Sequence, residues 1–306
     1  MMVFVVRRIL WMIPVIVGVS IGVFLMTHLM PGDPARILAG IDASEEDVSR
    51  VRLSLGLEDP LPLQYVRFVG RALVGDFGES FRTRKPVMEE VGSRYFNTLL
   101  LGVASIFVAI LFGGITGIIS AVRKYSIFDN LSMVASLVGV SMPTFYLGLM
   151  LMLLFSVHLG WFPLVGKDSW KNLVLPAITL GAPSAAVISR MVRSSLLEIL
   201  DQDYIRTARA KGLQEWIVIG KHALRNAMVA AVTVIGLQLG YLLGGAVVTE
   251  TVFAWPGIGR LVVQSILARD FPVVQTCVLI LATTFVVMNL LTDLLYSLLD
   301  PRIRVQ

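Results

Sequence analysis

The sequence predicts an all-α polytopic membrane protein of six transmembrane helices, with a small insertion between the first and second. Three observations lead there. The 306 residues are 56% hydrophobic and 15% charged, with a mean hydropathy of +0.79, whereas an ordinary soluble domain carries about 25% charge. Six stretches are long and nearly free of charge: Ile9 to Met30, Thr98 to Val122, Leu131 to Leu159, Leu173 to Ser189, Ala227 to Thr249 and Val273 to Thr292. Lys and Arg are also spread unevenly over the segments that join them.

A bilayer core needs roughly 20 apolar residues per helix, so each stretch has the length to span. The fourth is the shortest and contains Pro176, Gly181 and Pro183, interruptions that lipid tolerates only where neighbouring helices or a cavity satisfy the freed backbone groups. Pro143 and Pro183 are predicted kinks. Arg7 and Arg8 precede the first run as they would in a signal peptide. The run is too long for one and no small-residue cleavage site follows, so it reads as a retained helix. Cys277, the single cysteine, lies within the sixth span and reads as an apolar packing residue.

Basic residues of short loops accumulate on the cytoplasmic side. Thirteen lie on the side of the termini, and four, Lys167, Lys171, Arg260 and Arg269, lie opposite, which predicts both termini in the cytoplasm. Residues 31–97 mix both signs and are predicted to form an extracytoplasmic insertion of short helices. Ser44, followed by Glu45, Glu46 and Asp47, opens a capped helix that Gly56 ends. Asp59 to Pro62 and Gly75 to Gly78 are turns. The predicted organisation is therefore residues 1–30 for the first helix, 31–97 for the insertion and 98–306 for five further helices. The net charge of +5 is accounted for by topology, without a nucleic-acid partner.

No phosphate loop is present. Gly166-Lys167 and Gly220-Lys221 are followed by Asp168 and His222 and lack the upstream glycine, so ATP hydrolysis is not expected of this chain. His28, His158 and His222 show no metal-ligand spacing, and no nucleophile with a base lies within the spans. Asn289 and Asp293 are one turn apart at the inner end of the sixth span. They fit either a polar lining of a pathway or an interfacial acid paired with Arg302 or Arg304. Gly236, Gly240 and Gly244 form a stripe on the fifth span, suited to close helix contact or to a cavity wall. Gln238 beside them suits either a substrate or a neighbouring helix.

The segment from Arg190 to Asn226 is predicted to be the largest cytoplasmic loop. Asp203-Tyr204-Ile205-Arg206-Thr207-Ala208-Arg209-Ala210-Lys211-Gly212 reads as a short helix with Asp203 capping its first turn, Lys211 in its last and Gly212 as a left-handed stop. Leu213 to Arg225 resumes a helical pattern. Small Ala208 and Ala210 would allow close approach to a partner, Tyr204 would supply an apolar anchor, and basic side chains would fix register. A basic helix hugging lipid headgroups fits the same composition.

This segment resembles the coupling loop of ATP-binding-cassette importer permeases. In its generic form that loop reads Glu-Ala-Ala, three residues, Gly, nine residues, Ile-x-Leu-Pro. Those positions here hold Arg206-Thr207-Ala208, Gly212 and His222-Ala223-Leu224-Arg225, which match only at Ala208, Gly212 and Leu224. Arg-Thr-Ala-Arg-Ala-Lys-Gly is similar to the variant of the dipeptide, oligopeptide, nickel and glutathione branch. Met30 to Pro34, Glu250 to Arg260 and Asp300-Pro301-Arg302 also look like that branch, so the resemblance covers essentially the whole chain.

The resemblance implies a type I importer permease, non-catalytic and in the cell inner membrane. Its partners would be a second homologous permease, two ATP-binding subunits that carry the ATP and Mg, an extracytoplasmic binding protein and the lipid bilayer. No cofactor would be bound by this chain. Short peptides come first as substrate, then glutathione-like tripeptides, with nickel chelates as an alternative. An ATP-independent secondary carrier is the competing class. The residues singled out for coupling are Tyr204, Arg206, Thr207, Ala208, Arg209, Ala210, Lys211 and Gly212.

Overall fold

The computed structural model describes residues 2–29, 33–40 and 42–299. Among them thirteen helical elements run in chain order. They are α1 (Met2–Leu29), α2 (Pro34–Ala39), α3 (Glu45–Ser54), α4 (Leu61–Leu73), α5 (Val87–Val122), α6 (Ile127–Ser141), α7 (Thr144–Leu151, continued by a π-helical Met152–His158), α8 (Lys171–Leu200), α9 (Asp203–Ala210), α10 (Glu215–Ile217, continued by a π-helical Val218–Ala223), α11 (Leu224–Val252), α12 (Ile258–Leu267) and α13 (Phe271–Leu299). Five helices are long and apolar enough to cross a membrane, and the bent pair α6 and α7, counted as one broken span, brings the number to six. Met30, Pro31 and Gly32, and the Asp300-Pro301-Arg302 signature with Arg304, lie outside the described residues.

Two spans differ from expectation. The third, expected from Leu131 to Leu159, is two helices that meet at 111°. Met142 and Pro143 are extended at the join, because the residue before a proline is driven out of the helical region. The fourth is longer than expected: α8 continues through Pro176 and Pro183 to Leu200. Its flanks explain this, since Leu175, Leu180, Ile188, Val192 and Leu196 are each no more than 2% exposed, and packing on neighbours outweighs the hydrogen bond each proline deletes.

The chain divides into two compact units, one of residues 1–5, 99–255 and 287–306, the other of 6–98 and 256–286. The second therefore groups the insertion with most of α1, with α12 and with the first half of α13. In the first unit, Leu101, Leu180, Ile188, Leu242 and Trp255 form the central apolar cluster, with α8 at its middle. Backbones approach most closely where α5 meets α8. A Cβ placed on Gly113 would lie 2.5 Å from the Ala185 carbonyl oxygen, on Gly117 2.6 Å from that of Ser189, and on Gly181 2.5 Å from that of Ser105. The glycine and small residues recur every four positions on both helices, which lets two helices touch without intervening side chains.

At the other end of α8, Arg193 donates to Asp129 twice, Nε to Oδ1 at 2.7 Å and Nη2 to Oδ2 at 2.8 Å. The Asp129 side chain is 1% exposed. Its Oδ2 also accepts from the Tyr125 amide at 2.9 Å, and its own amide donates to Ser126 Oγ. The carboxylate thus joins the start of α6 to α8 in a fork geometry that only Arg provides.

In the second unit, the helix predicted from Ser44 is α3, with Ser44 and Asp47 exchanging side-chain and backbone bonds at its start, and Gly56 turns left-handed after it at φ +66. Asp33 caps α2 by accepting from the Ala35 amide at 2.9 Å and also accepts from Arg52 of α3. The turn after α4 is held by Asp76, which accepts from Arg71 Nε at 2.9 Å and Nη2 at 3.2 Å and from the Gly78 amide at 3.0 Å. The Arg71 guanidinium first, and the amide second, hold the Asp76 carboxyl below the ordinary aspartate range. A depressed pKa contributes order that is complete above the ordinary range and is lost as pH falls through the lowered value. Hydrogen-exchange protection of residues 74–80, corrected for intrinsic rate, should therefore fall as pH drops below about 4, the ordinary aspartate value. Asp76→Asn should abolish that dependence.

Candidate functional site

The loop expected from Arg190 begins at Asp201, because α8 carries its helix on to Leu200. The loop itself is compact. Gln202, in extended backbone, is the N-cap of α9, so Asp203 is the first helical residue and does not cap. Its carboxylate instead meets the positive end of the helix. The helix ends as predicted: the Lys211 amide donates to the Thr207 carbonyl at 3.1 Å, the Gly212 amide to that of Arg209 at 2.9 Å, and Gly212 sits at φ +76. Glycine is the residue that adopts this conformation without steric cost.

Two faces of α9 separate cleanly. Ile205 is fully buried and Ala208 is 7% exposed, packed with Leu196, Val218, Ala223 and Ala227. Ala208 therefore packs into the chain's own core. Tyr204, Arg206, Thr207, Arg209, Ala210, Lys211 and Gly212 are exposed. Tyr204 Oη accepts from Asn226 Nδ2 at 2.9 Å, which ties the first turn of α9 to the start of α11. Arg209 donates to Glu215 across the Gly212 turn, Nη2 to Oε1 at 2.7 Å and Nε to Oε2 at 3.2 Å. Thr207 Oγ1 donates to the Asp203 carbonyl at 3.0 Å, and Arg206 faces Asp203 at 3.5 Å with both side chains largely in solvent.

Sequence reasoning missed Trp216. It is 71% exposed, and Tyr204 at 42% and Leu213 at 38% are exposed in the same segment. Three apolar side chains on one basic knuckle resemble the anchors of a protein contact more than a solvated loop. The signal was a Trp within a polar stretch. The Asp129 and Arg193 pair was missed as well, for no spacing relates residues 64 positions apart.

The pathway and packing candidates are dispersed. Gly236 and Gly240 are buried, and Thr292 Oγ1 of α13 reaches the Gly236 carbonyl at 3.4 Å. Gly244 is exposed, with nothing within 4 Å of a Cβ placed there, so two of the three positions of the stripe are buried and the third is not. Gln238, Asn289 and Asp293 are half-buried. Among the described residues no group of three His, Cys, Asp or Glu is arranged to hold a metal ion.

Two family models match. One is described as a binding-protein-dependent transport system inner membrane component, over residues 113–305, and the other as the N-terminal part of such a membrane component, over 1–102. The glutathione transport system permease protein GsiC of Salmonella typhimurium and that of Escherichia coli K12 are each 48% identical over 301 residues, 98% of this chain and 98% of theirs. Among solved structures, a chain of the inward-facing MetNI methionine transporter aligns with a TM-score of 0.60 at 22% identity, over 71% of this chain and 99% of its own. A chain of an amino acid ABC transporter aligns at 0.53 and 16%, over 70% and 94%. These structures share the fold. With its apolar helices and both family matches, the chain belongs to the family of binding-protein-dependent transport system inner membrane components, the permeases of ABC importers.

Proposed function

We propose that this permease passes short peptides, glutathione-like tripeptides among them, from an extracytoplasmic binding protein to the cytoplasm, driven by ATP hydrolysis on separate subunits. The observation that carries the substrate class is 48% identity along the whole chain to glutathione transport permeases. A second homologous permease and two ATP-binding subunits complete the assembly. ATP and Mg reside on those subunits, and this chain binds no cofactor. Both termini face the cytoplasm, as the thirteen-to-four split of basic residues supports, which puts α9 inside and the insertion outside.

The exposed face of α9 is the contact with an ATP-binding subunit. Its buried face anchors it to α8 and α11 through Ile205 and Ala208, and Tyr204, Leu213 and Trp216 offer apolar anchors ringed by Arg206, Arg209 and Lys211. Vesicles containing the membrane complex should take up labelled glutathione or trialanine only with ATP and binding protein present. Uptake that needs neither would establish a secondary carrier instead. Gly212→Asp should lower uptake and co-purification of the ATP-binding subunits by at least about tenfold, the effect of roughly 1.4 kcal/mol. Among the described residues nothing lies within 4 Å of the new Cβ, and the strain that φ +76 puts on any side chain is least for Asp and Asn. Unchanged uptake and co-purification would remove the coupling assignment.

A further inference from the structure

The second unit contains a cavity of about 790 Å³, within the usual range for sites that hold small molecules. Part of its lining is aromatic. Phe24 of α1 and Phe68 of α4 have ring centroids 6.0 Å apart, and Phe77 and Phe81 also line it. The charged groups of the lining are of unequal availability. Arg67 is paired with Asp59, and Arg71 with Asp76. Arg84 and Glu79 also line the cavity, are exposed, and have no ion-pair partner among the described residues.

The loop that carries them is built in advance. Glu79 and Pro86 form a backbone bridge, the Ser80 amide donates to the Lys85 carbonyl at 2.9 Å, and the Arg84 amide donates to that of Ser80 at 3.0 Å. Beneath it the Asp270 carboxylate, on a residue 2% exposed, accepts from Ser80 Oγ, from the Phe81 amide at 3.0 Å and from that of Arg82 at 3.4 Å. A buried acid 190 positions away fixes this loop. Arg84 is held at φ +59, a region that side chains with a Cβ avoid and that persists where surroundings enforce it. Its Nη2 donates to the Leu38 carbonyl at 3.0 Å, which aims the guanidinium and leaves its other donors available.

A partly aromatic lining with one available guanidinium and one available carboxylate matches a small amphiphile that carries both charges. We propose that this cavity is a receiving site for a short zwitterionic peptide. Its terminal carboxylate sits on Arg84, its ammonium on Glu79 and its side chains over Phe24, Phe68, Phe77 and Phe81. The choice of ligand rests on the peptide-import reading above, and the site is distinct from the α9 knuckle.

The test uses the full-length chain in its membrane complex, in lipid nanodiscs washed free of binding protein, titrated calorimetrically with trialanine. Trialanine should bind, and N-acetyl-trialanine amide, which lacks both end charges, should bind at least about tenfold more weakly. Arg84→Gln and Glu79→Gln should each weaken trialanine roughly ten- to a hundredfold, as expected for one charge-assisted hydrogen bond removed. Both substituted side chains are exposed, and assembly is checked by gel filtration. No binding of trialanine, or binding indifferent to both variants, would overturn the site. Uptake by the same membranes with ATP and binding protein reports separately. Uptake without this binding removes the site and leaves the import reading, and binding without uptake does the reverse.

Discussion

Gly113→Ala should destabilise the protein by about 2 kcal/mol, whereas Gly114→Ala, one residue away in the same helix, should be neutral or slightly stabilising. The new Cβ at Gly113 would lie 2.5 Å from a backbone oxygen of Ala185 and 3.0 Å from the Ile188 Cβ. No side-chain rotation relieves a clash with backbone, so α5 and α8 must separate, and overpacking of this kind costs about 1–3 kcal/mol. At Gly114 nothing lies within 4 Å, so Ala brings only its better helix propensity, worth up to about 1 kcal/mol. Unfolding transitions of the two variants in detergent, followed by the fluorescence of the five Trp residues, give the comparison. Equal transitions would mean that α5 and α8 do not touch through these glycines.

Arg193→Met should be the most damaging single change at the C-terminal end of α8, lowering stability by about 3–5 kcal/mol, the range for stranding one partner of a buried pair. Asp129, 1% exposed at its side chain, would keep, among the described residues, the Tyr125 amide as the hydrogen-bond partner of its carboxylate. Arg193→Lys should recover little, because an ammonium cannot reproduce the two-point contact. The double variant Arg193→Met with Asp129→Leu should recover most of the loss, since the apolar replacement leaves no charge behind. A double variant as unstable as Arg193→Met alone would show that the pair acts through something other than its buried charge.

Legibility in the sequence tracked the range of the interaction. The stop at Gly212 and the box at Ser44 and Asp47 are decided within four residues, and both were legible. Pro143 announced a break, but its 111° angle depends on what the two halves pack against. Pro176 and Pro183 suggested a short fourth span because local propensity was the only guide, whereas Leu180, Ile188 and Leu196 hold the helix together by burial. The glycines of the fifth span drew attention, although Gly113 and Gly117 carry the same four-residue spacing on α5 and make the closer approach. At the α9 knuckle, Ile205 and Ala208 are three apart and apolar, so the inward face was readable in principle. The contacts of Asp270 with residues 80–82, and of Asp129 with Arg193, join distant parts of the chain and leave no local trace.

The seal around Ile205 has a mechanical meaning. To slide α9 alone by the width of a side chain would uncover an isoleucine and leave a void among Leu196, Val218 and Ala227, at a cost of about 2–5 kcal/mol. The Tyr204 bond to Asn226 would break as well. Tilting α9 together with the last turns of α8, the π-helical Val218–Ala223 and the first turn of α11 breaks none of these contacts. The knuckle is thus stiff against shear and has almost no slack, so a small displacement at its surface arrives undiminished at the ends of two spans.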